Sequence, residues 1–343
     1  MAKAGETGGP RKTPPLKTTA EQDIVDAQRA REVQAKFVIT SGSANQGLAM
    51  LIAQSLGIEM ARCSVERFPD TEVNIRLDDP VREREVFIVQ PSCPPVDQNV
   101  MEVFAIADAC RRAGAASITW IAPYFGYARS DTRQGRRSAI MGKLLADFAE
   151  RAGIGHVIAV DLHSRQVEGF FHVPVENLTA VPVIADALQT DVDASAVIVS
   201  PDTGRVRMAS AYASRLGCAV AVLHKERLDG SKTAVNKVVG DLRGKACVII
   251  DDMISTGGTI NSAVEALIRA GAAEHFLVGA SHAVFTAKAR QNLSHASIRK
   301  IIVTNSIPVS VDDWPQVKVV SLAPILAEAI QRSVAEGQAI PRD

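Results

Sequence analysis

From Lys36 to Ser306 the chain alternates short, unbroken apolar runs with longer amphipathic stretches. The runs "KFVIT" (36–40), "EVFIVQ" (85–90), "SITWIAPY" (117–124), "HVIAVD" (156–161), "AVIVSPD" (196–202), "AVAVLH" (219–224), "ACVIIDD" (246–252), "HFLVGASH" (275–282) and "KIIVTNS" (300–306) all read as buried strands. They are too continuous for a sheet with one wet face. Segments with helical spacing lie between many of them, among them "VMEVFAIADACRRAGA" (100–115) and "NSAVEALIRAGA" (261–272). Such alternation predicts an α/β fold of mainly parallel sheets flanked by helices, with right-handed crossovers. Ligands are then expected beyond the carboxyl ends of the strands, where the polar tails "APYFGYAR", "VDLHS", "SPDTG" and "DDMISTGG" fall.

One stretch echoes another. Residues 86–124 and 246–282 share the plan strand, loop, helix, "RAGAA", strand, and Arg112–Ala116 repeats letter for letter as Arg269–Ala273. "RAGA" is by itself a good helix ending, with Gly just past the last turn. The elements on both sides agree in order as well, which favours two related α/β units. Only the second carries an acidic pair followed by "STGGT".

Charge and composition narrow the partners. The 38 Lys and Arg balance 38 Asp and Glu, so no global field draws the chain to nucleic acid or an anionic membrane. Hydrophobic content of 47% with 22% charged residues is that of a globular protein, and 343 residues suggest about two domains. No apolar run reaches the roughly 20 residues of a membrane span. The five cysteines are scattered without a C-x-x-C pair, which suits a reducing cytoplasm and argues against disulfides or a structural zinc site. Residues 1–34, rich in Pro, Gly, Lys and Thr, lack the apolar core of a secretory signal and read as a flexible tail.

The chemistry concentrates in "VIIDDMISTGGTI" (248–260). A strand delivers Asp251 and Asp252, and a helix is expected to begin near Thr259 or Ile260. Ser255, Thr256 and Thr259 supply hydroxyls, while Gly257 and Gly258 allow bends that bring several N–H groups to one point. The helix N-terminus adds its positive dipole end, so a monophosphate fits the loop. Carboxylates just before such a cup can accept hydrogen bonds from a vicinal diol one sugar length away. A ribose phosphate satisfies both halves. No Lys follows the glycines, so this is not the loop of nucleotide triphosphatases.

This stretch resembles the phosphoribosyl-diphosphate binding motif of phosphoribosyltransferases and ribose-phosphate pyrophosphokinases. "RFPDTEVNIRL", "NVMEVFAIADACRRAGA", "APYFGYARSD", "VDLHSRQVEGFFHVPVENL" and "VSPDTG" resemble the pyrophosphokinases, in order, from about Phe37 to Ile330. The resemblance implies two related phosphoribosyltransferase-type domains, an ATP-side unit at 35–179 and a ribose-5-phosphate unit at 180–316. A C-terminal helix at 317–335 is expected to join the first. It also implies transfer of the β,γ-diphosphoryl group of ATP to the anomeric hydroxyl of ribose 5-phosphate, releasing AMP, with Mg2+ as the metal.

Carried over residue by residue, the resemblance assigns Phe68, Asp70 and Glu72 of "RFPDTE" to the adenine nucleotide, with Thr71 where the family usually has Gly. "YFGYARSD" assigns Arg129, Ser130 and Asp131 to the nucleotide phosphates, Ser130 replacing a usual Gln. "TRQGRRSA" (132–139) looks like a mobile basic loop over the triphosphate. His163 matches a catalytic histidine contacting the metal–triphosphate, and Asp202 a residue near Mg2+ and the ribose. Magnesium prefers oxygen ligands and keeps waters, so for His163 a phosphate contact competes with direct ligation. Lys225 and Arg227 of "HKERLDG" match the catalytic basic loop, from which Glu226 departs. Asp251, Asp252, Ser255, Thr256, Gly257, Gly258 and Thr259 would hold ribose 5-phosphate, Ser255 standing where many members have Asp.

Within the family, the competing reading is a non-catalytic, associated subunit that binds nucleotide and regulates a partner. His163, Lys225, Arg227 and the complete "STGGT" favour retained catalysis. A phosphoribosyltransferase would need a base-recognising hood and one such domain; a scaffold would leave these residues without a reason to coincide. The expected assembly is a dimer-based homo-oligomer, hexamer and tetramer both open, with ATP sites completed by a neighbouring subunit.

Overall fold

The structure is a computed structural model that describes residues 36–133, 135, 137–229 and 232–337, without the side chains of 225–229, 232–237 and 336–337. Fourteen strands are described: β1 (Phe37–Ser41), β2 (Cys63–Arg67), β3 (Val73–Leu77), β4 (Glu85–Val89), β5 (Ser117–Ala122), β6 (His156–Val160), β7 (Val175–Leu178), β8 (Val197–Ser200), β9 (Ala219–Asp229), β10 (Lys232–Val239), β11 (Cys247–Ile254), β12 (Phe276–Ala283), β13 (Ile298–Thr304) and β14 (Val317–Val320). The α-helices are α1 (Gln46–Ser55), α2 (Val96–Arg112), α3 (Met141–Ala152), α4 (Val181–Leu188), α5 (Val206–Leu216), α6 (Gly258–Arg269), α7 (Ala289–Asn292) and α8 (Ala323–Gly337). The predicted tail, 1–34, lies outside the described residues.

Among the described residues two large sheets form, in the orders β1-β4-β5-β6-β7 and β10-β9-β8-β11-β12-β13-β14, beside a two-stranded sheet of β2 and β3. All pairs in the first are parallel, and in the second only β9–β10 is antiparallel. The apolar runs of the sequence all became strands of these sheets, as a fold with both faces covered requires. The echo is structural: β4–α2–β5 and β11–α6–β12 are both parallel units whose strands are neighbours. Each "RAGAA" ends its helix with a left-handed glycine, Gly114 at φ 81° and Gly271 at φ 86°.

Alternate strand residues enter different cores. Phe37, Ile39, Phe87 and Val89 of the first sheet join Val248, Ile250 and Ile302 of the second in one cluster, together with side chains of α1, α4, α5 and α8. Their neighbours Val38, Val86 and Ile88 face α2 and α3, and Cys247, Ile249 and Val303 face α6. The two sheets therefore share one apolar layer of helices, with a separate layer on each outer face.

The C-terminal expectation is corrected. Val317–Val320 is a strand pairing in parallel with β13 at the edge of the second sheet, and the helix starts at Ala323. Only that helix returns to the first unit, where Leu326 and Ile330 share a core with Leu48 and Ile52 of α1. "VKVV" alternates and is too short to carry helical periodicity, so its pairing is a strand's.

The hairpin β2–β3 leaves the first sheet and lies along α2, where Ile75 and Leu77 pack on the core beneath it. Its tip is "FPDT", closed by Phe68 N–H to Glu72 O at 2.9 Å and Thr71 N–H to Phe68 O at 2.8 Å. Thr71 has φ 76°, the left-handed region where glycine is at ease and a β-branched residue is strained. The tip end of the hairpin is fastened by Arg67, the last residue of β2, whose Nη2 donates to buried Glu102 at 2.6 Å.

Because one layer serves both sheets, Ile250→Ala should cost about 2–5 kcal/mol. Calorimetry of the variant should still show one transition in which both units melt together. Two separated endotherms would contradict the shared core.

Candidate active site

The carboxyl ends of β6, β8 and β11 converge on a cavity of about 310 Å3. Its lining joins Arg129, His163, Asp202, Asp251, Asp252, Ser255, Thr256, Gly257 and Thr259, residues predicted from four separate stretches, with Arg205, which no motif had marked. The first sheet contributes Arg129 and His163 and the second the rest, so the site exists only where the two sheets meet.

The loop after β11 is built as an anion cup. Ser255 O accepts from Thr286 N–H at 3.0 Å and Thr256 O from Asn292 Nδ2 at 2.7 Å, which holds these carbonyls to the surrounding structure. Gly257 stands at φ 75° as the cap of α6, and a Cβ there would come within 2.8 Å of Leu293 Cγ. Only glycine fits. The helix begins at Gly258, one residue ahead of Thr259 and two ahead of Ile260, and Gly258 N–H donates to Thr256 Oγ1 at 3.3 Å. The N–H groups that follow at this helix start suit an anion.

Asp252 is the centre of a charged cluster. Its Oδ2 lies 2.7 Å from His163 Nδ1, and its Oδ1 lies 3.0 Å from Arg205 Nε. Burial pushes this carboxyl up, but the His163 hydrogen bond and the Arg205 charge outweigh it and hold Asp252 below the ordinary carboxylate value. Asp251 goes the other way. Burial first, then the neighbouring Asp252 charge, drive it well above its ordinary value. One acid of the pair is kept ionised and the other is driven toward its neutral, hydrogen-donating form.

The strand end carrying His163 is itself anchored across the interface. Asp161 has φ 40°, and its Oδ2 accepts from Ala180 N–H at 2.9 Å and from Ser281 Oγ of β12 at 2.5 Å. Buried His282 lies with Nε2 3.1 Å from Val160 O and Nδ1 2.9 Å from Ser306 Oγ. Asp161, Ser281 and His282 were visible in sequence only as polar ends of apolar runs, a signal that marks a strand end without revealing its partner.

Other predicted residues fall elsewhere. Phe68 is 52% exposed at the hairpin tip, with Asp70 and Glu72 beside it, outside the cavity. Ser130 serves the backbone: its hydroxyl accepts from Met141 N–H at 3.1 Å and its carbonyl from Gly142 N–H at 3.1 Å, starting α3. Asp131 is half-buried and does not line the cavity. Asp202 Oδ1 accepts from Gly204 N–H at 2.9 Å, capping the turn Thr203–Arg205. Lys225, Glu226 and Arg227 lie on β9, opposite Val235, Ala234 and Thr233 of β10, and their side chains are outside the described residues, as are Gln134 and Arg136.

A parallel α/β unit with an acidic pair ahead of an anion cup defines a phosphoribosyl-binding class of protein. Family models agree: residues 37–153 match the N-terminal domain of ribose phosphate pyrophosphokinase, and 230–340 match a phosphoribosyl synthetase-associated domain. A ribose-phosphate pyrophosphokinase of Marinomonas sp. is 38% identical over 301 residues, 87% of this chain and 95% of its own. Ribose-phosphate pyrophosphokinase 1, chloroplastic, of Oryza sativa subsp. japonica is 42% identical over 298 residues, 86% of this chain and 75% of its own. The crystal structure of phosphoribosylpyrophosphate synthetase from Mycobacterium smegmatis superposes with a TM-score of 0.81 at 37% identity, covering 88% of this chain and 99% of the other. The chain belongs to the ribose-phosphate pyrophosphokinase family.

The opposite shifts of the acidic pair give opposite stability effects. Asp251 has a raised folded-state pKa, so its favourable contribution is complete below the unfolded value near ~3.9 and is lost as pH rises through the folded value. Asp251→Asn should therefore raise the melting temperature at pH 7, with the gain vanishing toward pH ~4. Asp252 has a depressed value, so its contribution is present above ~3.9 and lost as pH falls through the folded value. Asp252→Asn should cost about 3–5 kcal/mol at pH 7, since it strips His163 and Arg205 of their buried partner. Thermal melts of both variants from pH 4 to 8 check the signs.

Proposed function

We propose that this protein is a catalytically active ribose-phosphate pyrophosphokinase, transferring the diphosphoryl group of ATP to the anomeric hydroxyl of ribose 5-phosphate with release of AMP. The observation that carries this reading is the single cavity in which His163, Arg129 and Asp202 face the acidic pair and the Ser255–Thr259 loop. In it, N–H groups of the helix start and the hydroxyls of Ser255, Thr256 and Thr259 hold the 5-phosphate. The acidic pair accepts from the ribose hydroxyls, which orients the anomeric oxygen toward Arg129 and His163. Arg129 binds the nucleotide's phosphates, and Lys225 and Arg227, arriving on β9, neutralise charge on the transferring group. Positioned cations of this kind account for much of the rate of phosphoryl transfer.

Mg2+ is the metal this reading requires, and the donor chemistry suits it. Among the described residues no cluster of three or more His, Cys, Asp or Glu could hold a metal by itself. Asp202, with one carboxylate oxygen left uncommitted by its cap, offers a hard oxygen ligand beside the anion cup. A magnesium ion that arrives on substrate phosphates and keeps its waters needs little more, and when bound it neutralises the phosphate oxygens. For His163 a phosphate contact competes with ligation, since magnesium prefers oxygen donors.

Two features support homo-oligomerisation. The nucleotide residues Phe68, Asp70 and Glu72 stand outside this chain's cavity, as expected if a neighbour's hairpin completes each ATP site. The outer face of α2 and α3 exposes Met101, Leu144 and Phe148, the last in edge contact with Phe104. Apolar area of this kind suits an interface between copies. For location, all five cysteines are free, as a reducing cytoplasm would keep them, and no described helix is long and apolar enough to cross a membrane.

Protein incubated with ATP, Mg2+ and ribose 5-phosphate should form AMP only when the sugar phosphate is present. Lys225→Ala should lower the rate by ~10²–10³-fold. ADP in place of AMP would mean an ordinary kinase, and saturable binding without turnover would mean a regulatory subunit. Separately, Phe148→Glu should shift the sedimentation coefficient toward a smaller species; an unchanged value would place the interface elsewhere.

A further inference from the structure

Arg205 follows the capped turn between β8 and α5, and its guanidinium is wedged among the polar groups of the site. Nε lies 3.0 Å from Asp252 Oδ1 and 3.7 Å from Asp251 Oδ1. Nη2 lies 2.7 Å from His163 Nδ1, and Nη1 donates to His163 O at 3.0 Å. The side chain is 17% exposed. Both oxygens of Asp252 are thus engaged within the protein, Oδ2 by His163 and Oδ1 by Arg205. A sugar diol arriving at the acidic pair meets a carboxylate that is already occupied.

We propose that Arg205 is a displaceable counter-charge. In the free protein it neutralises the acidic pair; on binding, ribose hydroxyls replace it on Asp252 and the guanidinium turns aside. The inference rests on the reading of this site as a ribose 5-phosphate site. There is room for the movement, since Arg205 also lines an adjoining cavity of about 710 Å3. Arg165 and Arg207 line that cavity too, so the outward position lies among like charges. Once the sugar leaves, this repulsion and the vacated carboxylate both favour return.

The exchange has two consequences at the site. Asp252 keeps its hydrogen bonds, but neutral hydroxyls take the place of a cation, and the acidic pair regains its negative charge. His163 is also simplified. Its Nδ1 has both a carboxylate oxygen and an Arg N–H at 2.7 Å, and the nitrogen can donate to one or accept from the other but not both. With Arg205 withdrawn, Nδ1–H donates to Asp252 with no competing donor beside it. Arg205 is therefore a positioning residue for the histidine and a specificity residue for the diol, because a sugar lacking one hydroxyl replaces it poorly.

Calorimetric titration of the full-length chain with ribose 5-phosphate tests the exchange. Arg205→Gly and Arg205→Gln should each bind about tenfold more tightly than wild type, about 1.4 kcal/mol, because no charge-assisted bond has to break first. In wild-type protein, ribose 5-phosphate should accelerate phenylglyoxal labelling of Arg205, read by peptide mass spectrometry. Equal or weaker binding by the folded variants, or labelling that does not rise, would overturn the inference. The labelling arm needs no variant, so it decides even if both substitutions prevent folding. Ribose 5-phosphate that binds without altering Arg205 sinks the exchange alone; no binding by wild type sinks the ribose reading with it.

Discussion

The buried carboxylate of Asp252 is the constraint on which the site depends. It is 2% exposed and carries a charge that could not persist there alone. His163 comes to it from the end of β6 in the first sheet, Arg205 from the turn after β8 in the second, and Asp252 itself from β11. Satisfying that one charge brings the two units into register at atomic distance. The surrounding ties, Asp161 to Ser281 and His282 to Val160, hold the same junction from behind. A site assembled this way is rigid where the phosphate cup sits and adjustable where a single side chain supplies the balancing charge.

The apolar layer shared by the sheets makes such precision affordable to the fold. Side chains of α1, α4, α5 and α8 fill the space between the inner faces, so the units cannot slide without opening a core. The β2–β3 hairpin is the opposite case. It is attached through Arg67 and Glu102 and packed along α2, but its tip carries exposed Phe68 and a strained Thr71. Such a tip has unspent contact surface, in keeping with a role toward a neighbouring chain.

Much of this was legible in the sequence because it is local. Continuous runs of branched residues mark buried strands, and the "RAGAA" echo marks two equivalent helix endings. The loop at 255–259 could be identified as an anion cup because glycine at a left-handed cap and hydroxyls at a helix start act over a few neighbouring residues. "VKVV" misled, since four alternating residues take their state from the strand beside them. Ser130 has a second task that its motif did not reveal: its hydroxyl accepts from Met141 N–H at the start of a helix eleven residues along.

By itself, then, the sequence determined the fold class, which rests on periodicity and short-range backbone geometry, and the family, which rests on the resemblance of its motifs. Tertiary structure alone decided that His163, Arg205 and Asp252, separated by scores of residues, share one charge. It also decided that Asp251 and Asp252, adjacent and chemically identical, take opposite protonation preferences. Burial and the field of distant side chains set those preferences. Neither is encoded in spacing along the chain, because electrostatic energy depends on separation in space and on the solvent excluded from around it.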